Sequence, residues 1–206
     1  FSKIDFFLTK DTPTEHHAAL VALFEVLEIT ARADIKSDLL QELERQKHLL
    51  EALRKNPNVD ETTLNTALGN IRSTFREMLD LPGKVGEHLR ENDWLMSIKQ
   101  RMAIPGGCCV FDLPFYHYWL NLDTEKRHQD FKEWLGPFQP VRNAFEIVLY
   151  LLRKSGKTIK LTANQGVFQQ TGAEYAAHML RLNLSDDLPC IPEISANKYA
   201  LNIRFI

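Results

Sequence analysis

The spacing of apolar residues changes once along this chain, and that change constrains the fold more than any other feature. Up to Lys154 apolar residues recur every three to four positions, which is typical of amphipathic helices. From Ser155 onward they alternate with polar residues, which is typical of strands with one solvated face. We therefore predict an α+β protein, with a mainly helical bundle domain at residues 1–155 followed by a small antiparallel β domain at residues 156–206.

Capping residues, prolines and glycines divide the helical part into segments. Residues 1–10 resemble the end of a helix, and Thr14 is predicted to cap the next one. A long amphipathic helix at residues 34–55 and a partner starting at Asp60 predict an antiparallel hairpin. Residues 141–154 are apolar almost all round, so we expect them to form the buried central helix of the domain.

Alternating residues mark the strands of the second part at 158–161, 180–184 and 200–205. A further strand is predicted at 167–168, and residues 172–177 are predicted to form a loop or hairpin tip. So small a sheet is marginal alone. The chain looks cut at both ends, so we expect the sheet to pack on the helices or to be completed by residues beyond the two ends.

The net charge, the hydropathy pattern and the cysteine count argue against several classes of protein. A net charge of −2 argues against a nucleic-acid-binding module that relies on bulk positive charge. No apolar run approaches the ~20 residues that a membrane-spanning helix needs. Three cysteines, two of them adjacent, do not suggest a disulfide framework and fit a reducing cytoplasm better.

A sharp corner is predicted midway along the chain. Pro105, Gly106 and Gly107 must end the preceding helix, because proline lacks a backbone donor and glycine favours open or left-handed conformations. Cys108 and Cys109 follow directly. We interpret these five residues as a structural motif.

The residues after the corner predict a new helix and a core. Asp112 and Pro114 resemble a helix start with an acidic cap and an early proline. The run 115–119 holds the densest aromatic cluster of the chain, and a cluster of that size usually anchors a core. Val110 and Phe111 also look like core residues.

The two cysteines admit a second interpretation, a thiol-dependent enzyme. A thiolate of Cys108 or Cys109 near a helix N-terminus, with His117 as its base, would be a candidate nucleophile. Free cysteine is more often a buried residue, and the neighbouring apolar residues favour that structural reading. Thiol reactivity near neutral pH separates the two interpretations.

Other sites for chemistry are not indicated. The sequence has no phosphate-binding glycine loop and no convergent pair of carboxylates, so we expect neither an enzyme nor a cofactor. The seven histidines form no metal-binding pattern. His16 and His17 point to different helix faces, and most of the others are expected to stand alone in solvent, namely His48, His88, His128 and His178. His117 either packs in the core or lines a groove.

Basic residues suggest a binding groove. Arg32 lies in a helix break, Lys99 and Arg101 end the helix before the corner, and Arg181 and Arg204 lie on predicted strands. Any one of them is by default a solvated surface cation. Arginines placed at helix breaks and on a sheet, however, can form a carboxylate pocket beside apolar surface, which suits a short acidic and hydrophobic peptide.

Three stretches of this chain resemble one family. The longest runs from Ile104 to Pro114 as Ile-Pro-Gly-Gly-Cys-Cys-Val-Phe-Asp-Leu-Pro, with His117, Trp119 and Leu120 after it. The others are residues 38–46 (Asp-Leu-Leu-Gln-Glu-Leu-Glu-Arg-Gln) and 180–185 (Leu-Arg-Leu-Asn-Leu-Ser). The chain is similar in these stretches to ZapD, a family of Z-ring-associated division proteins of Gram-negative bacteria.

The resemblance implies a cytoplasmic, non-enzymatic protein at the division site. It would act as a symmetric homodimer that binds the C-terminal tail peptide of FtsZ, the tubulin-like division protein, and cross-links FtsZ filaments. The family's binding arginines are matched by Arg32 and Arg204, and a groove-lining histidine is matched by His117. Asp93 and Ala200 stand where the family can have a basic residue, so the details of the groove differ here.

Overall fold

The computed structural model describes residues 1–31, 34–171, 179–185, 187–197 and 199–206. The chain divides into two compact units, Phe1–Val148 and Leu149–Ile206. Helices fill the first unit, and the strands lie in the second as one antiparallel sheet. The predicted α+β class, helices followed by a small antiparallel sheet, is therefore confirmed.

The helices follow one another through short turns. They are α1 Ser2–Leu8, α2 Pro13–Ala31, α3 Ile35–Ala52, α4 Glu61–Asp80, α5 Glu87–Arg90, α6 Asp93–Met102, α7 Pro114–Leu120, α8 Thr124–Leu135 and α9 Gln139–Lys154. Two short 3₁₀ turns, Leu53–Lys55 and Gly136–Phe138, follow α3 and α8.

Helix α2 carries the largest share of the core of the first unit. Its buried residues are His16, Ala19, Leu20, Ala22, Leu23, Phe24, Leu27 and Thr30. Side chains from α1, α5, α6, α7 and α8 complete the same cluster. Helix α2 begins before Thr14, which was predicted to cap it. Thr12 lies just before the helix, and its hydroxyl donates a hydrogen bond to the Glu15 carboxylate. The same hydroxyl accepts a hydrogen bond from the Glu15 amide at 3.4 Å.

The hairpin of α3 and α4 forms as the sequence predicted. Asp34 caps α3 by accepting from the Ser37 amide at 3.3 Å, and Asp60 caps α4 by accepting from the Thr63 amide at 2.7 Å. Apolar residues of both helices of the hairpin are buried, namely Leu39, Leu43, Leu64, Leu68 and Ile71.

Helix α9 is not the buried central helix that we expected. Its buried residues are confined to one stripe, Val141, Ala144 and Val148. Arg142 lies among them in sequence and pairs with Asp5 of α1 through two hydrogen bonds of 2.8 and 2.7 Å. The central position belongs to α2, whose buried face is wider because fewer charged residues interrupt it.

The second unit contains a three-stranded antiparallel sheet in the order β1-β3-β2. The strands are β1 Val167–Thr171, β2 Pro192–Ala196 and β3 Ala200–Phe205. In the centre of the sheet Ile203 is opposite Phe168 on one side and Ile194 on the other. Ile203 is buried, and most other strand residues are exposed or half-buried.

Two strand predictions are confirmed and two are wrong. The predictions at 167–168 and 200–205 correspond to β1 and β3, whereas 158–161 and 180–184 are irregular. Alternation gives a segment an apolar face but does not supply a neighbouring strand, and a strand exists only as part of a ladder. The third strand, β2, escaped prediction because it starts with proline and has a single large apolar residue, Ile194. The predicted tip at 172–177 lies outside the described residues.

A buried polar cluster corrects the prediction for the histidines. His16 is fully buried, and its Nε2 lies 2.9 Å from the Lys10 carbonyl and 3.1 Å from Nε2 of His128. His88 is half-buried, with its Nε2 2.9 Å from the carbonyl oxygen of Trp134. These histidines are therefore not solitary surface groups. His48 is exposed beside Glu44, as predicted, and His178 lies outside the described residues.

Candidate functional site

The corner between α6 and α7 is built from successive tight turns. The amide of Ile104 donates to the Arg101 carbonyl at 3.0 Å, and the amide of Gly107 donates to the Ile104 carbonyl at 2.9 Å. Gly106 has φ +75°, a conformation that side-chain-bearing residues rarely adopt. A Cβ on Gly107 would lie 2.4 Å from the Arg101 carbonyl oxygen. Both glycines are thus required by the backbone path.

Asp112 does not cap helix α7, contrary to the prediction. Leu113 occupies the cap position, with no side-chain hydrogen bond to the helix. The Asp112 carboxylate instead accepts from the Cys109 thiol at 3.2 Å and lies 3.6 Å from the Arg101 guanidinium. These contacts join the end of the corner to the end of α6, so Asp112 stabilises the loop rather than the helix.

The two cysteines differ in environment. Cys108 is half-buried and packs against the core cluster of the first unit, whereas Cys109 is exposed. Burial, with a smaller effect from Cys109, raises the pKa of the Cys108 thiol. A raised pKa lowers the thiolate fraction at neutral pH, which argues against Cys108 as a nucleophile.

His117 is held against the backbone and not against a thiol. Its Nε2 lies 2.7 Å from the Cys108 carbonyl oxygen, so this nitrogen donates a hydrogen bond. A ring nitrogen that carries a hydrogen toward a carbonyl does not take a proton from either cysteine. The arrangement therefore offers no support for a thiol-dependent enzyme. His117 itself is half-buried at the corner.

A hydrogen bond between two helices lies beside the corner. The Tyr116 hydroxyl and Nδ1 of His17 are 2.5 Å apart. Burial raises the pKa of the Tyr116 phenol, and burial together with nearby His117 lowers the pKa of His17. The phenol therefore keeps its proton and donates a hydrogen bond to Nδ1 of a neutral imidazole.

An open depression of about 680 Å³ lies against the corner. Its lining is mostly apolar and comes from α2 and from the stretch that follows α6: His17, Val21, Met102, Ala103, Ile104, Pro105, Gly106, Cys108 and Cys109. Arg101, which precedes this stretch, is exposed apart from its pair with Asp112. The depression thus combines apolar walls with a cation next to them, and this combination suits an acidic and hydrophobic peptide.

The family model for ZapD, described as "Cell division protein", matches residues 1–204. Curated relatives agree over the whole chain. Cell division protein ZapD of Nitrosomonas europaea is 60% identical over 206 residues, which are all of this chain and 79% of the relative. The ZapD proteins of Nitrosomonas eutropha and Chromobacterium violaceum are 57% and 52% identical, and this chain covers 82% of each.

This chain belongs to the ZapD family of cell division proteins. The resemblance noted in the sequence is therefore confirmed. Its longest motif, Ile104 to Pro114, is the corner described above, so the most recognisable stretch of this ZapD protein is also its exposed loop.

The predicted binding residues of this ZapD protein are distributed over both units. His117 and Arg101 lie at the corner, and Lys99 lies on α6 in an ion pair with Glu28 of α2. Arg204 is exposed on β3, opposite Val167 and Glu193, and Arg181 is exposed in an irregular segment of the same unit. Arg32 lies outside the described residues.

Sequence reasoning missed the exposed aromatic residues of this ZapD corner. Val110 and Phe111, which we expected in the core, are 58% and 97% exposed. Of the aromatic run that was expected to anchor a core, Tyr116 and Trp119 are buried, but Phe115 and Tyr118 face solvent. Helical spacing was the available signal, because Tyr116, Trp119 and Leu120 share one face of α7 and exclude Phe115 and Tyr118 from it.

Two further observations concern sites of other kinds in this ZapD protein. Within the described ranges, no helix is both long enough and apolar enough to cross a membrane. Among the same residues, no three His, Cys, Asp or Glu side chains are grouped as a metal ion would require.

Proposed function

We propose that this protein acts in cell division as a dimer that binds the C-terminal tail peptide of FtsZ and cross-links FtsZ filaments at the division site. The observation that carries the proposal is membership of the ZapD family over residues 1–204. The ligand is then a short peptide with both acidic and apolar residues. The protein takes it up in the cytoplasm, where FtsZ filaments form, and without catalysing a reaction.

The corner supports a peptide ligand of this composition. The depression offers apolar walls from Val21, Met102 and Ile104, which can bury an apolar side chain of the tail. Arg101 comes directly before Met102 in the chain. Its guanidinium is partly exposed, so some of its N–H groups are available to a carboxylate of the peptide. We assign His117 to the same site, since its Nε2 bond to Cys108 fixes the ring beside the lining.

The remaining predicted cations supply further charge. We propose that Lys99, Arg181, Arg204 and Arg32 contribute to tail binding. Arg204 supports this assignment most directly, because it is exposed on a strand and makes no ion pair with any of the residues that the structure describes. Lys99 is engaged with Glu28 and would have to exchange that partner. A charge-assisted hydrogen bond contributes ~1–3 kcal/mol in such a setting.

Dimerisation gives the binding its mechanical effect. A protomer with one tail site can bind a filament but cannot connect two of them. A twofold dimer carries two equal sites, and on a polymer that presents many tails the two sites act together. Weak binding of each single tail is then compatible with firm cross-linking.

The test combines peptide binding with filament bundling. A fluorescent FtsZ tail peptide should bind saturably in an anisotropy titration, and a scrambled peptide of the same composition should not. Assembled FtsZ should shift into the low-speed pellet when the protein is added. If the protein neither binds the tail nor changes the pelleting of filaments, the proposal is wrong.

A further inference from the structure

An aromatic face stands out on the surface of the first unit. It consists of Phe111, Phe115 and Tyr118, whose exposed fractions are 97%, 77% and 69%. Phe115 and Tyr118 are three residues apart on α7, on the side opposite the buried Tyr116 and Trp119. Phe111 belongs to the loop that leads directly into this helix. One aliphatic residue of the same loop, Val110, is also more than half exposed.

The exposed area is comparable to the largest apolar patches that monomeric proteins carry. Phenylalanine and tyrosine side chains have ~150–250 Å² each to bury, so the three aromatic residues alone leave roughly 500 Å² of surface in water. The largest apolar patch on a typical monomer is about 300–600 Å², and such patches are often functional. A standard interface buries ~800 Å² on each partner, so the aromatic face could supply more than half of that area.

The charge around the face favours a second copy of the same chain. From Ala103 to Leu120 the sequence contains one residue of the types Asp, Glu, Lys and Arg, namely Asp112. Its carboxylate is 3.6 Å from the Arg101 guanidinium, so the pair is locally neutral. A twofold axis brings a surface near its own copy, and an unpaired charge there would meet a like charge. A neutral apolar surface has no such repulsion, and it also lacks the excess of cations that anionic lipid or nucleic acid would require.

The loop also presents the face in a fixed form. The corner backbone is held by the hydrogen bonds of the Ile104 and Gly107 amides, and Gly107 lies close to the Arg101 carbonyl. The contacts of Asp112 with Arg101 and Cys109 hold the end of the loop. A surface that is already ordered before association loses less conformational entropy on binding.

We propose that the aromatic face of Phe111, Phe115 and Tyr118 is the surface through which two copies of this protein pair. The inference takes from the proposed function only that the protein acts as a dimer. In an isologous interface each residue occurs twice, so Phe111 of one copy packs in the apolar surface of the other. Phe111, with almost its whole side chain available, is then the main anchor of the dimer.

The experiment compares two double variants by sedimentation equilibrium over a range of protein concentrations. Phe111→Ser with Phe115→Ser should raise the dimer dissociation constant at least a hundredfold. The matched control, Phe6→Ser with Ile29→Ser, removes two other exposed apolar side chains of the first unit and should leave that constant within twofold of the parent. Circular dichroism should show native helix content in both. If the double variant is misfolded, the single variant Phe111→Ser replaces it, because Phe111 lies in the loop before α7. This variant should still raise the dimer dissociation constant at least tenfold.

The outcomes separate this inference from the proposed function. If the parent is a dimer and the aromatic-face variant dimerises equally well, this inference is wrong but the proposed function is not affected. If that variant still dimerises but no longer binds the tail peptide, the face belongs to the peptide site and the inference is wrong. If it still dimerises but no longer pellets with phosphatidylglycerol vesicles, the face binds lipid and the inference is also wrong. A parent that is a monomer overturns the cross-linking mechanism itself. The supporting result is a monomeric variant that binds the tail peptide with parental affinity and no longer bundles filaments.

Discussion

His16 accepts a hydrogen bond from Arg127: the Nδ1 of the imidazole lies 2.8 Å from the guanidinium Nε, and both side chains are buried. Since arginine has no acceptor, this nitrogen of His16 must be unprotonated. The other ring nitrogen faces the Lys10 carbonyl and must carry the hydrogen. The contact therefore requires a neutral His16. Nε2 of His128 lies 3.1 Å from Nε2 of His16.

The first prediction follows from the neutral state of His16. Burial, the positive charge of Arg127 and nearby His128 lower the pKa of His16 below 6.5, although the Lys10 carbonyl and Asp11 act in the opposite direction. The unfolded chain then binds more protons than the folded one below pH 6.5, so the free energy of unfolding should be fully present above pH 6.5 and should fall as the pH decreases from that value. Urea unfolding at pH 8.0, 6.5 and 5.5 measures this loss.

Two variants decide whether His16 is the group that titrates. His16→Gln supplies a donor and an acceptor without a titrating ring, so its stability should fall less steeply between pH 6.5 and 5.5. His48→Gln, at an exposed site beside Glu44, should keep the slope of the parent. An unchanged slope in His16→Gln would show that the acid sensitivity comes from another group, such as His17, whose pKa is also lowered by burial.

The second prediction concerns the glycines of the corner. Gly107→Ala places a Cβ 2.4 Å from the Arg101 carbonyl oxygen, and Gly106→Ala forces alanine into φ +75°. Gly106→Ala should lower the free energy of unfolding by ~1–2 kcal/mol, the usual cost of a left-handed residue. Gly107→Ala should lower it by ~1–3 kcal/mol, because the added Cβ overpacks against backbone. Gly69→Ala is the matched control: it lies inside α4, nothing is within 4 Å of an added Cβ, and alanine should raise the stability by about 0.5–1 kcal/mol. Stability equal to the parent in Gly107→Ala would show that the turn relaxes freely.

Much of the helical part was predictable because its signals are local. The caps at Asp34 and Asp60 and the hairpin between them depend on residues three or four positions apart. The pairing of His16 with Arg127 and His128 was not predictable, because these partners are more than a hundred positions apart and no local pattern relates them.

The position of the corner was predictable, but the exposure of its side chains was not. The proline and glycines marked the corner at 105–107, and its proximity to Arg101 and His117 followed from the sequence. The exposure of Phe111 did not, since an apolar residue looks the same in sequence whether it packs inside or remains for a partner. The strand errors have a related cause: residues 180–184 alternate as β3 does, but among the described residues β3 has neighbouring strands to pair with and 180–184 do not.

The third prediction concerns the thiols and tests the enzyme alternative. Because the pKa of the Cys108 thiol is raised by burial, Cys108 should react with Ellman's reagent more slowly at pH 7.5 than a free thiol does. Exposed Cys109 should react faster than Cys108. Single-cysteine forms, made by replacing the other two cysteines with alanine, separate the rates. His117→Gln should not change either rate, since Nε2 of His117 bonds a carbonyl.

An opposite pattern of rates would favour catalysis. Rapid reaction of Cys108 near neutral pH that slows in His117→Gln would indicate an activated nucleophile. Replacing Cys108 and Cys109 together with alanine should, on the structural interpretation, lower stability and leave the affinity of the folded protein for the tail peptide unchanged. A stable double variant that no longer binds the peptide would move the peptide site onto the cysteines.

The last prediction concerns the cations that the family resemblance assigns to the tail. Arg32→Glu and Arg204→Glu each replace an attractive charge by a repulsive one, so each should weaken tail-peptide binding by more than a lost surface contact would. The expected loss is ~1–3 kcal/mol, or roughly 5- to 150-fold in the dissociation constant. Both losses should shrink as salt is raised, because screening weakens the repulsion. Lys47→Glu, on α3 where Lys47 bonds Glu44 at 2.8 Å, is the control and should leave the affinity unchanged. If anisotropy titrations give parental affinity for both arginine variants and a loss for the control, tail binding depends on the hairpin and not on these arginines.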